Sequence, residues 1–165
     1  MDLVSFYLPL NQKNDYYDKR SKLTKEEYLK KIDESTTIYV GSLTPSCSDS
    51  FLLELFSYVG PVKKLVMGVN KRNFYPCGFC FVEFYNRKDA EKAVGLLNDT
   101  LIGDKRIKID FDLGYYEGRE YGRGKRGGQV EDEKINEGLR TDHFKGESRG
   151  RHESSEHREK RSKYS

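Results

Sequence analysis

The stretch that most limits what this chain can fold into is Pro76-Cys77-Gly78-Phe79-Cys80-Phe81-Val82-Glu83-Phe84-Tyr85. Side chains alternate across an extended strand, so Phe79 and Phe81 share one face while Cys80, Val82 and Phe84 share the other. A half-buried strand has one apolar face; this one has two. Either it is buried on both sides, or one face enters the core and the other offers flat rings to a ligand. A second stretch, Ile38-Tyr39-Val40-Gly41-Ser42-Leu43, alternates in the same way. Ile38 and Val40 point inward there, and Tyr39 points out towards Phe79 and Phe81. Enough chain separates the two stretches for a helix and a strand.

Cys77 to Phe84 resembles the octamer of an RNA-recognition motif, K/R-G-F/Y-G/A-F-V-x-F/Y. Gly78, Phe79, Phe81, Val82 and Phe84 fit, while Cys77 and Cys80 stand where a basic and a small residue are usual. Ile38 to Leu43 resembles the hexamer of the first strand. The elements between and after them complete the order. Ser48 caps a helix whose Leu52, Leu55, Phe56 and Val59 recur at i, i+3, i+4, i+7, and Gly60-Pro61 ends it. Val62 to Val69 is a strand, and Asn70 to Tyr75 a polar loop. Asn86 caps a second helix with Ala90, Ala93, Val94 and Leu97 inward. Arg106 to Phe111 is the last strand, with Ile107 and Ile109 inward and Arg106, Lys108 and Asp110 on the sheet face. This βαββαβ order predicts an α+β, ferredoxin-like domain over residues 36–113, with two helices on one sheet face and the other face open.

Flanking the domain are segments of different character. In residues 1–35, Thr24-Lys25-Glu26-Glu27 is a capping box that starts a short helix running to about Ile32, with Tyr28, Leu29 and Ile32 on one side. After Leu113 the composition turns to glycine, arginine and acidic residues. Residues 114–138 form a Gly/Arg-rich extension, and the charged tail 139–165 is expected to be disordered. His143, His152 and His157 in that tail have no ligand-like spacing.

Charge excludes indiscriminate phosphate attraction. The net charge is +3, and residues 36–113 carry ten Lys or Arg against nine Asp or Glu. RNA binding by this domain therefore needs a specific pocket. Three cysteines in no extracellular pattern fit a reducing compartment. Cys77 and Cys80 spell C-x-x-C, but on a strand they point to opposite faces, and no second pair accompanies them. There is no apolar run long enough to span a membrane and no secretory signal, so a soluble protein is expected.

The pocket is sought where Asp110-Phe111-Asp112 meets the segment Gly114 to Val130, which holds Glu117-Gly-Arg119-Glu-Tyr-Gly-Arg123-Gly and Gly-Gly-Gln129-Val130. Taken alone the segment is a flexible RGG-like tail as readily as a site. Its glycines allow backbone N–H groups to approach phosphate, and Arg119 and Arg123 could reach the same anion. Asp110 and Asp112 share one side of a continued strand. With no histidine, third carboxylate or activated nucleophile beside them, neither catalysis nor a metal is expected; a carboxylate at an aromatic edge suits the adjacent N1–H and N2–H₂ donors of guanine.

These motifs, with Tyr39-Val-Gly, Met67-Gly and Pro76-Cys-Gly-Phe-Cys-Phe-Val, resemble the small-subunit family of the nuclear cap-binding complex over roughly Tyr16 to Glu133. The resemblance implies a 7-methylguanosine base held between Tyr39 and a tyrosine of the N-terminal extension, Tyr16, with Tyr17 as the alternative. It implies that Asp112 reads the guanine edge with Asp110, Phe111 and Lys108 beside it. Arg123, Gln129 and Val130 would hold the triphosphate, Arg119 would brace the segment, and Phe79 and Phe81 would support the ligand or the next nucleotide. It further implies a partner (a large helical-repeat subunit), capped RNA as ligand, no cofactor, and a nuclear protein that shuttles to the cytoplasm. The chain departs from the family at Lys108 and Phe111, where Arg and Trp occur, and at Glu131 and Lys134, where Arg and Tyr occur. The competing readings are an RNA-recognition motif for generic single-stranded RNA, or a protein-docking domain of the same fold.

Overall fold

The computed structural model describes residues 17–138. Tyr16 and the charged tail lie outside the described residues. A capping box forms at Thr24, whose hydroxyl accepts from the Glu27 N–H at 3.3 Å while the Glu27 carboxylate accepts from the Thr24 N–H at 2.9 Å. It starts α1, Lys25–Glu34, whose Tyr28 is buried. Then come β1 (Thr37–Gly41), α2 (Asp49–Ser57), β2 (Val62–Val69), β3 (Pro76–Phe84) and α3 (Arg87–Leu97). A two-stranded hairpin, β4 (Leu101–Ile102) with β5 (Lys105–Arg106), precedes β6 (Lys108–Asp112). A further helix begins at residue 130.

The four long strands make one antiparallel sheet in the order β2-β3-β1-β6. Its helix side is the core. Ile38 and Val40 from β1, Cys80, Val82 and Phe84 from β3, and Ile109 from β6 meet Leu52 and Phe56 of α2 and Ala90 and Ala93 of α3, all essentially solvent-free. Each fully buried side chain of Leu, Ile or Phe size contributes about 1.5–3 kcal/mol. Ser48 caps α2 as expected, accepting from the Phe51 N–H at 3.2 Å. Asn86 sits at the N-cap of α3, but its amide donates to the Asp89 carboxylate instead of its oxygen capping the helix.

Two further expectations fail. The last strand does not run unbroken from Arg106. Ile107 exchanges backbone hydrogen bonds with Asp99 and Thr100, and the Asn98 side chain accepts from the Ile109 N–H at 2.9 Å. Arg106 is thereby drawn into the hairpin, where it donates to the Asp99 carbonyl and not across the sheet face. Nor is the second sheet face open. Residues 114–129 lie over it, joined to the end of β2 by a parallel bridge between Val69 and Tyr121, with Val69 donating to Glu120 at 2.7 Å and Gly122 to Val69 at 2.9 Å. Phe79 and Phe81 keep only 5% and 3% of their surface exposed.

Candidate nucleic-acid interface

Register explains why the aromatic residues converge. Tyr39 of β1 lies opposite Phe81 of β3 on one side and Asp110 of β6 on the other, so one row crosses the sheet with both rings on the same face. The Tyr39 ring is stacked with Phe79 at 5.7 Å between centroids and meets Phe81 edge-on at 5.7 Å. Close approach here depends on Gly68, since a Cβ at that position would stand 2.4 Å from the Phe79 ring.

Asp112 at the end of β6 and Arg119 of the overlying segment join the two at their centre. Both are largely buried, and the guanidinium forks onto the carboxylate, with Nη2 donating to Oδ2 at 2.9 Å and Nη1 donating to Oδ1. Arg119 Nη1 also donates to the Gly114 carbonyl at 2.6 Å, and its guanidinium stands 4.6 Å from the Phe81 ring centre. Burial disfavours the Arg119 charge, but the hydrogen bonds and charge of Asp112 outweigh it and raise the pKa. The bracing expected of Arg119 is thus an ion pair with the very carboxylate assigned to the guanine edge. Asp112 also accepts from the Gly114 N–H at 3.0 Å, so much of its acceptor capacity is committed within the chain.

Gln129 closes the other end. Its Nε2 donates to the Cys77 carbonyl at 2.7 Å, and its Oε1 accepts from the Tyr39 hydroxyl at 3.3 Å. Gly78 has φ +92 and faces the Gln129 amide and the Leu43 carbonyl, a conformation and a space that suit only glycine. Arg123 pairs with Asp18 at 3.1 Å and so joins the N-terminal segment to the C-terminal one. Burial works to raise the Asp18 pKa, but the Arg20 backbone N–H and then Arg123 hold it below the usual carboxylate value. Tyr17 donates its hydroxyl to the Leu23 carbonyl and sets its ring edge-on to Tyr28, 5.2 Å away, so it is engaged within the N-terminal segment.

Other assigned residues lie elsewhere. Phe111 alternates to the helix side of β6, where it packs on the core and carries the Arg87 guanidinium 3.8 Å from its ring centre. Its ring is therefore remote from the Tyr39 face. Lys108 is exposed opposite Gly41, at the far end of β6 from Asp112. Val130 is exposed where the last helix begins. The Gly-rich loop is expected to offer N–H groups to phosphate. Two of those donors, on Arg126 and Gly128, instead point to the Glu133 carboxylate at 2.8 and 3.3 Å. Cys77 and Cys80 have different surroundings, and burial raises both thiol pKa values, Cys77 to about 11.

Several contributors escaped the sequence reading. Glu120 accepts from the Tyr115 hydroxyl and the Gly118 N–H, both at 2.8 Å, and Tyr115 tilts against Phe81. The bond to Glu120, followed by burial, pushes the Tyr115 pKa up to about 12. Arg87 donates to the Ile32 and Ser35 carbonyls at 2.6 and 2.7 Å, fastening α1 to the domain. The Arg87 contacts and that of Tyr115 with Phe81 have no local signature, because they join residues that only the fold brings together. The Thr24 and Ser48 caps were legible because donor and acceptor are three residues apart.

Known proteins resemble this chain over the domain and beyond it. The RNA recognition motif family matches residues 38–108. The nuclear cap-binding protein subunit 2 of Dictyostelium discoideum is 44% identical over 79% of this chain and 54% of its own length. The rice protein of that name is 40% identical over 87% of this chain and 57% of its own. The chain thus spans little more than half the length of these two relatives. For Gallus gallus the identity is 44% over 83% of this chain and 77% of the relative. Motif order, sheet register and relatives agree: the chain belongs to the nuclear cap-binding protein subunit 2 family.

Proposed function

We propose that the chain binds the 7-methylguanosine cap of RNA, as the small subunit of a complex with a large helical-repeat partner. The observation that carries this reading is the cross-sheet row in which Tyr39 stands between the Phe79–Phe81 pair and Asp110, roofed by the segment that holds Arg119, Arg123 and Gln129. Methylation at N7 makes the base a cation. Stacking it on Tyr39 gains a cation–π term of about 0.5–2 kcal/mol over base–aromatic stacking of about 1–3 kcal/mol. Tyr16 supplies the second ring, because Tyr17 is already held by Leu23 and Tyr28. Asp110, across from Tyr39, shares the guanine edge with what remains of Asp112 after Arg119 and Gly114 are served. Charged hydrogen bonds of this kind contribute on the order of 1.5–3 kcal/mol each. Arg123 and Gln129 face the triphosphate.

Binding, not catalysis, is the role. In the nucleus such a subunit would serve splicing, export and quality control of capped transcripts. A generic single-stranded RNA reader needs its octamer rings open to bases; here Phe79 and Phe81 are covered. Retention on 7-methyl-GTP resin decides between them. The cap reading expects elution by methylated but not by plain GTP, and loss of retention in Tyr39→Ala. Equal elution by both nucleotides overturns it.

A further inference from the structure

The β2–β3 loop, residues 70–75, is tied to the glycine-rich loop 124–128. The Lys71 N–H donates to the Gly127 carbonyl at 2.8 Å, the Arg72 guanidinium to the Lys125 carbonyl at 2.8 Å, and the Asn70 amide to the Arg126 carbonyl at 3.5 Å. These bonds gather four exposed cations, Lys71, Arg72, Lys125 and Arg126, beside two exposed rings. Phe74 and Tyr75 leave 64% and 71% of their surface in solvent. Phe74 is held at φ +61, a left-handed conformation that a bulky residue adopts only where its surroundings impose it. Its ring meets Tyr121 of the overlying segment edge-on at 6.2 Å. Both rings thus stand largely in solvent among cations, Phe74 with Tyr121 at its edge. The carboxylate bonded to this loop, Glu133, is committed to the Arg126 and Gly128 N–H groups.

We propose that the paired loops form a landing site for the RNA strand that follows the cap, with bases stacking on Phe74 and Tyr75 and phosphates meeting Lys71, Arg72, Lys125 and Arg126. The proposal rests on the cap reading above, which places the triphosphate at Arg123 and Gln129. Those two residues flank the 124–128 loop, so a strand leaving them arrives at these rings. Rings interleaved with cations also suit a nucleic acid, in which flat bases alternate with phosphates, better than an acidic peptide.

The test measures affinity of the full chain for three probes: 7-methyl-GTP, a capped five-nucleotide RNA, and the same RNA with a plain 5′-triphosphate. Capped RNA should bind about tenfold tighter than 7-methyl-GTP, as one or two stacked bases allow. Because Phe74 also touches Tyr121, Tyr75→Ala is the first variant. It should lose most of that increment with 7-methyl-GTP affinity unchanged, and Tyr75→Phe should keep it. Lys71→Ala with Lys125→Ala should flatten the log-affinity against log-salt slope by roughly 0.7 per lysine. Equal binding of capped RNA and 7-methyl-GTP by the parent overturns the proposal. So does an increment that survives Tyr75→Ala and Phe74→Ala together. If the parent fails to bind 7-methyl-GTP, the cap reading falls, and the uncapped RNA then decides: tighter binding by parent than variant supports the landing site, and equal binding refutes it.

Discussion

The helix-side face of the sheet and the face carrying Tyr39, Phe79 and Phe81 are both covered, but by different means. On the helix side, Phe56, Leu52, Phe84, Val82 and Ile38 exclude water by apolar area, which is non-directional and shared among many neighbours. On the other face the cover, residues 114–129, is held by separate polar contacts: Arg119 on Asp112, Gln129 on Cys77 and Tyr39, the Val69 backbone on Glu120 and Gly122, and Lys71 and Arg72 on Gly127 and Lys125. A core of the first kind loses stability in proportion to volume removed. A cover of the second kind can detach as a unit when one buried charge loses its partner, while the domain beneath stays folded. The ligand site proposed here lies between this cover and the sheet.

Four measurements sharpen or break that contrast. The largest effect is expected from Phe56→Ala, which empties the centre of the core and should cost about 3–5 kcal/mol in denaturant unfolding. If it costs under about 1 kcal/mol, the core is not the foundation described. Arg119→Ala leaves the Asp112 carboxylate buried without its partner, and breaking such a pair costs on the order of 3 kcal/mol. That loss should appear as protease cleavage within 114–129 and lost 7-methyl-GTP retention, with the midpoint of global unfolding little changed. A single cooperative loss of the whole fold would show that the two faces are not separable.

A smaller effect is expected at Thr24. Removing its hydroxyl takes away the α1 cap, at about 1 kcal/mol, and amide exchange should quicken in α1 alone. The smallest concerns the Asp18–Arg123 clasp. Because the folded pKa of Asp18 lies below the ordinary 3.8, its contribution is complete above that value and lost as pH falls through the lower, folded pKa. Asp18→Asn should flatten the acid-side decline in protection of residues 114–129. An unchanged decline would place the acid sensitivity elsewhere.

The contrast between the faces also marks what could be read from the residues alone. The strand Val62–Val69, the octamer strand, the capped helices at Thr24 and Ser48 and the inward set Ile38, Val40, Ile107 and Ile109 were all legible. Each follows from a period of two or 3.6, or from a cap whose groups lie three residues apart. The convergence of Tyr39, Phe79 and Phe81 was legible as well, since alternation alone puts them on one face. What tertiary structure decided was everything that depends on where distant backbones come to rest. It broke the last strand at Ile107, laid residues 114–129 over the sheet, and turned Asp112 towards Arg119. It also set Arg87 under α1 and joined loop 70–75 to loop 124–128. Long polar side chains and glycine-rich backbone have many conformations of similar energy. Which one persists is selected by partners far along the chain, and no local pattern encodes that choice.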